Sequence, residues 1–284
     1  MLWFLLARMY SKLFGLCHDK LGFNPRGIGF LLTQIKTDRA IEVGDRWLHF
    51  NHKVSTCYIR LIDGKWNEPE THLFVGEILK KISAPVTFVD VGANVGEMIV
   101  DVARYPNVTR CIGFEPNPEC VSACNEAIKL NGYGNIRIVE KAVSSDIGRS
   151  VFFLNMNNAV RSSLMMTSDC SPVPVITTTL DAELSEYPET AIVLIDVEGA
   201  ENLVIKGGKQ FIASRLPLII FEYNEDNRNF FLLEEISTLL GSKFKIFRLR
   251  HDGRLDMNLT STWNCVAVHD ESVFANACRA LTLN

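Results

Sequence analysis

Three acids stand in quick succession after one apolar run. Ala191-Ile-Val-Leu-Ile195 is followed by Asp196, Glu198 and Glu201, spaced around Gly199. A carboxylate at the buried end of a strand is costly unless something partners it. Asp196 and Glu198 are therefore candidates for orienting a cationic group or a substrate hydroxyl, and one of them for removing a proton as general base. Glu201 opens the next helical pattern, where negative charge suits the helix dipole. Glu222 closes a second apolar run, Leu218-Ile-Ile-Phe221, and is placed to hydrogen-bond a substrate or to pair with an arginine. Asp196, Glu198 and Glu222 could also offer three oxygen ligands to a divalent ion, so metal dependence stays open. No metal site is expected from cysteine or histidine spacing. The six histidines mostly lie outside the core strand ends; His251 lies just past a strand end and is an alternative base.

A second constellation lies upstream. Val86-Thr-Phe-Val89 runs into Asp90-Val-Gly-Ala-Asn-Val-Gly96, and a second apolar run ends in Glu115. Glycines let the backbone approach a ligand closely, and an acid ending the second strand is placed to accept hydrogen bonds from ribose hydroxyls. A dinucleotide loop needs a middle glycine to make room for pyrophosphate. Here Ala93 and Asn94 occupy that stretch, and Asp90 would repel phosphate while welcoming an ammonium or a hydroxyl. S-adenosylmethionine, cationic and without phosphate, fits these requirements better than NAD. The expected cofactor contacts are Asp90, Gly92, Ala93, Asn94, Gly96, Glu115, Pro116, Ala142 and Asp196. Phe114 and Pro116 are placed to flank an adenine, with Lys141, Ala142 and Val143 along its edge.

These residues need a scaffold that brings strand ends together. Strand patterns at 86–91, 110–115, 135–140, 191–196 and 217–223 alternate with helical patterns at 95–105, 118–131, 201–214 and 228–241. Such alternation predicts an α/β fold with a mostly parallel sheet and helices on both faces. Ligands of such sheets lie beyond the carboxyl ends of the strands, where the acids are. Runs at 243–250 and 263–268 predict an antiparallel hairpin closing a seven-stranded sheet. Residues 150–154 and 173–179 read as added β-structure, with Asn155 to Ser163 as a substrate-facing tip. Ahead of Ala84-Pro85 lie a helix over 1–17, a glycine-rich loop, a strand over 46–53 and a helix over 70–82. The expected division is an N-terminal extension, 1–84, and a cofactor-binding domain, 85–284.

Four segments resemble the FkbM family of S-adenosylmethionine-dependent methyltransferases: Asp90–Gly96, Phe114-Glu-Pro-Asn-Pro118, Ala142-Val-Ser-Ser145 and Ile195-Asp-Val-Glu-Gly-Ala-Glu201. Trp66-Asn-Glu-Pro-Glu-Thr71 is a weaker fifth match. The resemblance implies a Rossmann-like class I methyltransferase fold and methyl transfer to a hydroxyl of a sugar, glycan or polyketide-like product. One departure is visible: family members often carry a lysine two residues before the strand-end Asp, and Leu194 stands there. The alternatives are an NAD(P)-dependent oxidoreductase and a catalytically silent protein of the same fold.

Composition sets the remaining bounds. The chain has 284 residues, 47% of them apolar, and a net charge of −4, which argues against non-specific nucleic-acid binding. The charge is uneven: residues 1–85 carry 12 Lys/Arg and 8 Asp/Glu, net +4, which leaves −8 on the rest. The eight cysteines include no C-x-x-C pair and read as reduced thiols of a cytoplasmic protein. Leu2-Trp-Phe-Leu-Leu-Ala7, interrupted by Arg8 and Lys12, is too short to span a bilayer. It is either a helix packing its apolar face on the domain or a peripheral membrane contact.

Overall fold

The computed structural model describes residues 2–21, 27–155, 162–165 and 170–283. In chain order, the leading elements are α1 (Leu2–Leu21), α2 (Ile28–Thr33), β1 (Arg39–Val43), β2 (Arg46–Phe50) and α3 (Pro69–Lys81). Then come β3 (Val86–Val91), α4 (Glu97–Val102), β4 (Val108–Phe114), α5 (Pro118–Asn131) and β5 (Ile136–Val139). An inserted unit follows, β6 (Ala142–Val143), β7 (Gly148–Asn155) and β8 (Cys170–Thr178), and leads through α6 (Leu180–Leu184) to β9 (Thr190–Ile195). The chain closes with α7 (Glu201–Lys206), α8 (Lys209–Arg215), β10 (Leu218–Glu222), α9 (Leu233–Leu240), β11 (Phe244–Leu249), β12 (Leu255–Asp256), β13 (Asn264–His269) and α10 (Ala275–Leu281).

The main sheet has the order β5-β4-β3-β9-β10-β13-β11-β12. The first five strands are parallel, and β13, β11 and β12 add in antiparallel fashion. This is the class I methyltransferase arrangement, with the hairpin inserting β13 between β10 and β11. The expected seven strands are eight, because Leu255–Asp256 in the turn region pairs back on β11, held by ion pairs of Asp256 with Arg248 and Arg250.

Strand periodicity divides the core. Val86 and Phe88 face one side with Ile220 and with Phe50, Tyr58, Phe74 and Ile78 of the leading segment. Val89 and Val91 face the other side with Val193, Phe221, Val204 and Ile212. The central strands are buried on both faces, as parallel strands under helices must be.

Several elements depart from their sequence patterns. α1 runs four residues past the expected end at 17. The strand expected over 46–53 stops at Phe50, where Asn51 caps a 3₁₀ segment through the Lys53 N–H. The helix expected over 95–105 is only Glu97–Val102, because Asn94 and Gly96 both take positive φ. The pattern over 201–214 splits into α7 and α8 at Gly207-Gly208, a pair unfavourable inside a helix. The helix expected from 228 starts at Leu233, since Asn227–Asn229 forms a 3₁₀ turn. β7 and β8 form the expected insertion and, with β6, a separate three-stranded sheet. Of its expected tip, residues 156–161 lie outside the described residues.

Candidate active site

The carboxyl ends of β3, β4 and β9 open on a cleft. Gly92, Asn94, Glu115, Pro116, Ala142 and Asp196 all line it, together with Phe114, Lys141, Val143 and Glu198. Asp90, Ala93 and Gly96 are buried and are not among its lining residues. Their part is to shape the wall. From the insertion, Phe152, Ser162 and Leu164 close one side, and the Ser163 hydroxyl donates to the Val197 carbonyl at 2.9 Å.

Glu115 is held from two directions. Oε2 accepts the Asn94 N–H at 2.9 Å and Oε1 accepts the Asn117 N–H at 2.8 Å. Asn94 can aim its N–H this way because it sits at φ 49°, a left-handed conformation that Asn tolerates better than most residues. Each carboxylate oxygen keeps a further lone pair, so the clamp leaves acceptor capacity. Burial pushes Glu115 up to about 7, against the pull of these two N–H groups.

The β3 and β9 loops touch. Gly92 sits at φ 90°, and a Cβ there would lie 1.9 Å from the Asp196 carbonyl oxygen. The Asp196 N–H donates to Val91 O at 2.9 Å. The next turn puts Glu198 at φ 56°, a strained conformation of the kind that clusters at functional sites. Glu201 anchors that turn. Its side chain is fully buried, with Oε1 accepting the Val197 N–H at 3.1 Å and Oε2 the Gly199 N–H at 3.1 Å. Glu201 does begin a helix as expected, and also serves as an internal clasp.

Asp196, Glu198 and Glu222 converge, with one oxygen of each lying within 4.8 Å of the others. Glu222 is nearly buried, and its partners are the amides of Asn224 at 2.8 Å and Asn227 at 3.3 Å. Of the two roles open to Glu222, pairing with an arginine or bonding a substrate, the side-chain partners it has here are these amides. Burial, then the neighbouring charges of Glu222, Glu198 and Glu68, push Asp196 well above the usual carboxylate range. Glu222 is raised by burial and by the charges of Glu198, Glu68 and Glu201. One oxygen of Asp196 and one of Asp90 are buried without a hydrogen-bond partner. His251 is 97% exposed, beside Glu70, and is set aside as a base.

Sequence reasoning missed a shell contributed by the leading segment. Glu68 accepts from Asn264 Nδ2 at 2.7 Å and from the Trp263 indole at 3.2 Å, and adds its field to Asp196 and Glu222. Asn67 donates to both oxygens of Glu97 at 2.6 Å. His72 is buried between Asp101, at 2.8 Å, and Glu97, at 3.4 Å, and stacks on Trp66. Burial opposes its charge, but the two carboxylates outweigh it and raise His72 to about 9. Asp90 is lifted to about 7 by burial and by the charges of Glu115 and Glu97, with His72 pulling the other way. Leu194 is Asp90's register neighbour on β9, so a lysine at that position, often found in the family the sequence resembles, would stand beside Asp90. Here the positive charge of His72 acts on Asp90. The one available signal was the weak match at Trp66–Thr71.

Residues 90–249 match the Methyltransferase FkbM domain, more than half of the 284 residues. The chain belongs to the FkbM methyltransferase family. The cofactor that membership implies is S-adenosylmethionine, in agreement with the loop spacing. Solved structures similar to this FkbM chain include methyltransferase FkbM from Methylobacillus flagellatus KT, 14% identical, covering 77% of this chain and 53% of that one at a TM-score of 0.46. This FkbM chain thus spans about half the length of that protein. Another is M. jannaschii TYW2 in complex with AdoMet, 12% identical, covering 83% and 86% of the two chains at a TM-score of 0.45. No curated protein matches the chain significantly.

The residues of this FkbM domain fit the cofactor. The clamped Glu115 suits vicinal hydroxyls, and the unpaired oxygen of Asp196, which lines the cleft, suits a cationic, hydroxyl-bearing molecule rather than a phosphate.

Proposed function

We propose that the chain is an S-adenosylmethionine-dependent O-methyltransferase whose acceptor is a hydroxyl of a sugar or glycan. The observation that carries this reading is the convergence of Asp196, Glu198 and Glu222 within 4.8 Å, on the lip of the Glu115 cleft. In this reading residues 85–284 are the cofactor-binding domain and residues 1–84 an extension that completes the acceptor side through Glu68.

When bound, S-adenosylmethionine supplies a methyl carbon made electrophilic by its sulfonium. Glu115 accepts from the ribose hydroxyls, with the Asn94 and Asn117 N–H groups fixing its plane. Phe114 and Pro116 flank the base, and Asp196 orients the charged methionine end. Asp90 contributes its charge from behind the wall. Glu198 and Glu222 face the acceptor hydroxyl. Burial and the neighbouring charges raise the affinity of Glu222 for a proton, and a carboxylate facing the hydroxyl serves as its general base. Holding nucleophile and carbon in line lowers the barrier by roughly 7–11 kcal/mol, and the rigid Glu201 clasp serves that positioning.

A sugar is favoured over a polyketide by the rim. Trp263 is 54% exposed, and its indole N–H is occupied by Glu68. A flat, exposed indole beside the Glu68 carboxylate suits the apolar face and hydroxyls of a pyranose. The net −8 of residues 86–284 speaks against a nucleic-acid acceptor. The test is transfer of labelled methyl from S-adenosylmethionine to a panel of saccharides, with Trp263→Ala as control. The reading predicts product on at least one saccharide and a raised acceptor KM in the variant. Transfer confined to non-carbohydrate acceptors contradicts it.

A further inference from the structure

Helix α1 has two apolar faces, and the fold uses only one. Ala7 is buried, Phe4 and Phe14 pack on the core, and the Ser11 hydroxyl donates to the Ile59 carbonyl at 2.7 Å. The Arg39 guanidinium lies over the Phe4 ring at 4.4 Å. The helix is thus fixed to the domain, and packing answers only half of the choice posed by its sequence.

The opposite face carries Leu2, Leu5, Met9, Leu13 and Leu16, each 50–69% exposed. Their spacing of three and four keeps them on one stripe. Leu6 and Trp3 widen it, and at 37% and 42% exposure they too are bare. No acid or amide interrupts the stripe. Exposed Arg8 and Lys12, one turn apart, flank it on one side. Scattered exposed leucines are ordinary, but a continuous outward stripe on a helix whose inner face is already buried marks an interaction surface.

Charge and size indicate the occupant. The stripe belongs to residues 1–85, which carry net +4 against −8 for the remainder, so the basic part of the chain bears the apolar helix. The stripe is one helix wide, about 10 Å, and about 21 Å long at 1.5 Å per residue. That footprint falls well short of the roughly 800 Å² per partner of a standard protein interface. Among the described residues no helix is long and apolar enough to cross a membrane. We propose that α1 docks the protein on an anionic phospholipid bilayer, its outer stripe at the acyl boundary and Arg8 and Lys12 among the headgroups. Because the inner face stays packed, docking requires no unfolding of the helix from the domain.

The test is co-sedimentation of the full chain with vesicles of phosphatidylcholine alone or mixed with phosphatidylserine. The proposal predicts binding to the mixed vesicles that weakens with salt. The outer-face variant Leu5→Ser/Met9→Ser/Leu13→Ser should lose affinity on the order of 10-fold or more while keeping its Tm. Arg8→Gln/Lys12→Gln should lose the preference for anionic vesicles. No binding to mixed vesicles by monodisperse protein overturns the proposal. So does a dimer, seen by sedimentation velocity without lipid, that the outer-face variant abolishes.

Discussion

The backbone N–H of Asn94 donates to the Glu115 carboxylate across 2.9 Å, joining the glycine loop after β3 to the end of β4. One residue in a left-handed conformation thus presets the acceptor expected to receive a ribose. Truncating Glu115 would remove this loop tie along with the ligand contact, so the informative variant is Glu115→Gln, which keeps volume and one acceptor. It should weaken S-adenosylmethionine binding by about 1.5–3 kcal/mol, the scale of hydrogen bonds to a charged group, with a smaller loss of Tm than truncation causes, since one of the two N–H ties is kept. Isothermal calorimetry beside a melting curve checks both; unchanged affinity would remove Glu115 from the ribose site.

Cofactor affinity should depend on pH. Burial raises Glu115 in the cleft to about 7, and burial with the charges of Glu115 and Glu97 raises Asp90 behind its wall to about 7. Hydroxyl donors and a cationic ligand favour the ionised carboxylates. Binding therefore releases protons, and affinity should rise as pH increases through about 7. Calorimetry in buffers of different ionisation enthalpy measures the release directly. An affinity that is flat or falls across this range would count against the assignment.

His72 links stability to pH. Its folded value, about 9, lies above the unfolded 6.5. The stabilisation is therefore fully present below pH 6.5 and is lost as pH rises through about 9. His72→Gln should lower Tm near pH 6, at about 2–4 °C per kcal/mol for a domain of this size, and should flatten the decline toward pH 9. Melting curves over that window check it; a variant with the same pH slope as wild type would show that the ion network is not formed in solution.

Catalysis should divide between two neighbouring acids. Asp196→Asn or Glu198→Gln should lower kcat by about 10²-fold or more, the range for loss of a general base. Cofactor affinity should shift more for Asp196→Asn. Single-turnover transfer on the identified acceptor separates the two effects. If both variants keep near-wild-type turnover, Glu222 is the base.

Much of this arrangement was legible in the chain. Apolar runs ending in acids gave the parallel strands and placed Glu115, Asp196 and Glu222 at one edge of the sheet, because strand ends in such folds converge. Local patterns failed where tertiary contacts decide. The loop wall hides Asp90 and Gly96, and positive φ at Asn94 shortens α4. Glu68 and His72 reach the site from a segment more than 100 residues before Asp196, a distance no periodicity spans. The two-faced character of α1 was equally hidden, since an all-round apolar helix does not say which face the domain covers.

The central claim is that this cleft takes S-adenosylmethionine and not a dinucleotide. The direct measurement is calorimetric titration of the full chain with S-adenosylmethionine and, separately, with NAD. The account predicts one S-adenosylmethionine bound per chain, with affinity lost in Glu115→Gln, and no heat from NAD. Saturable NAD binding, or a folded protein that ignores S-adenosylmethionine at neutral and mildly alkaline pH, would contradict it.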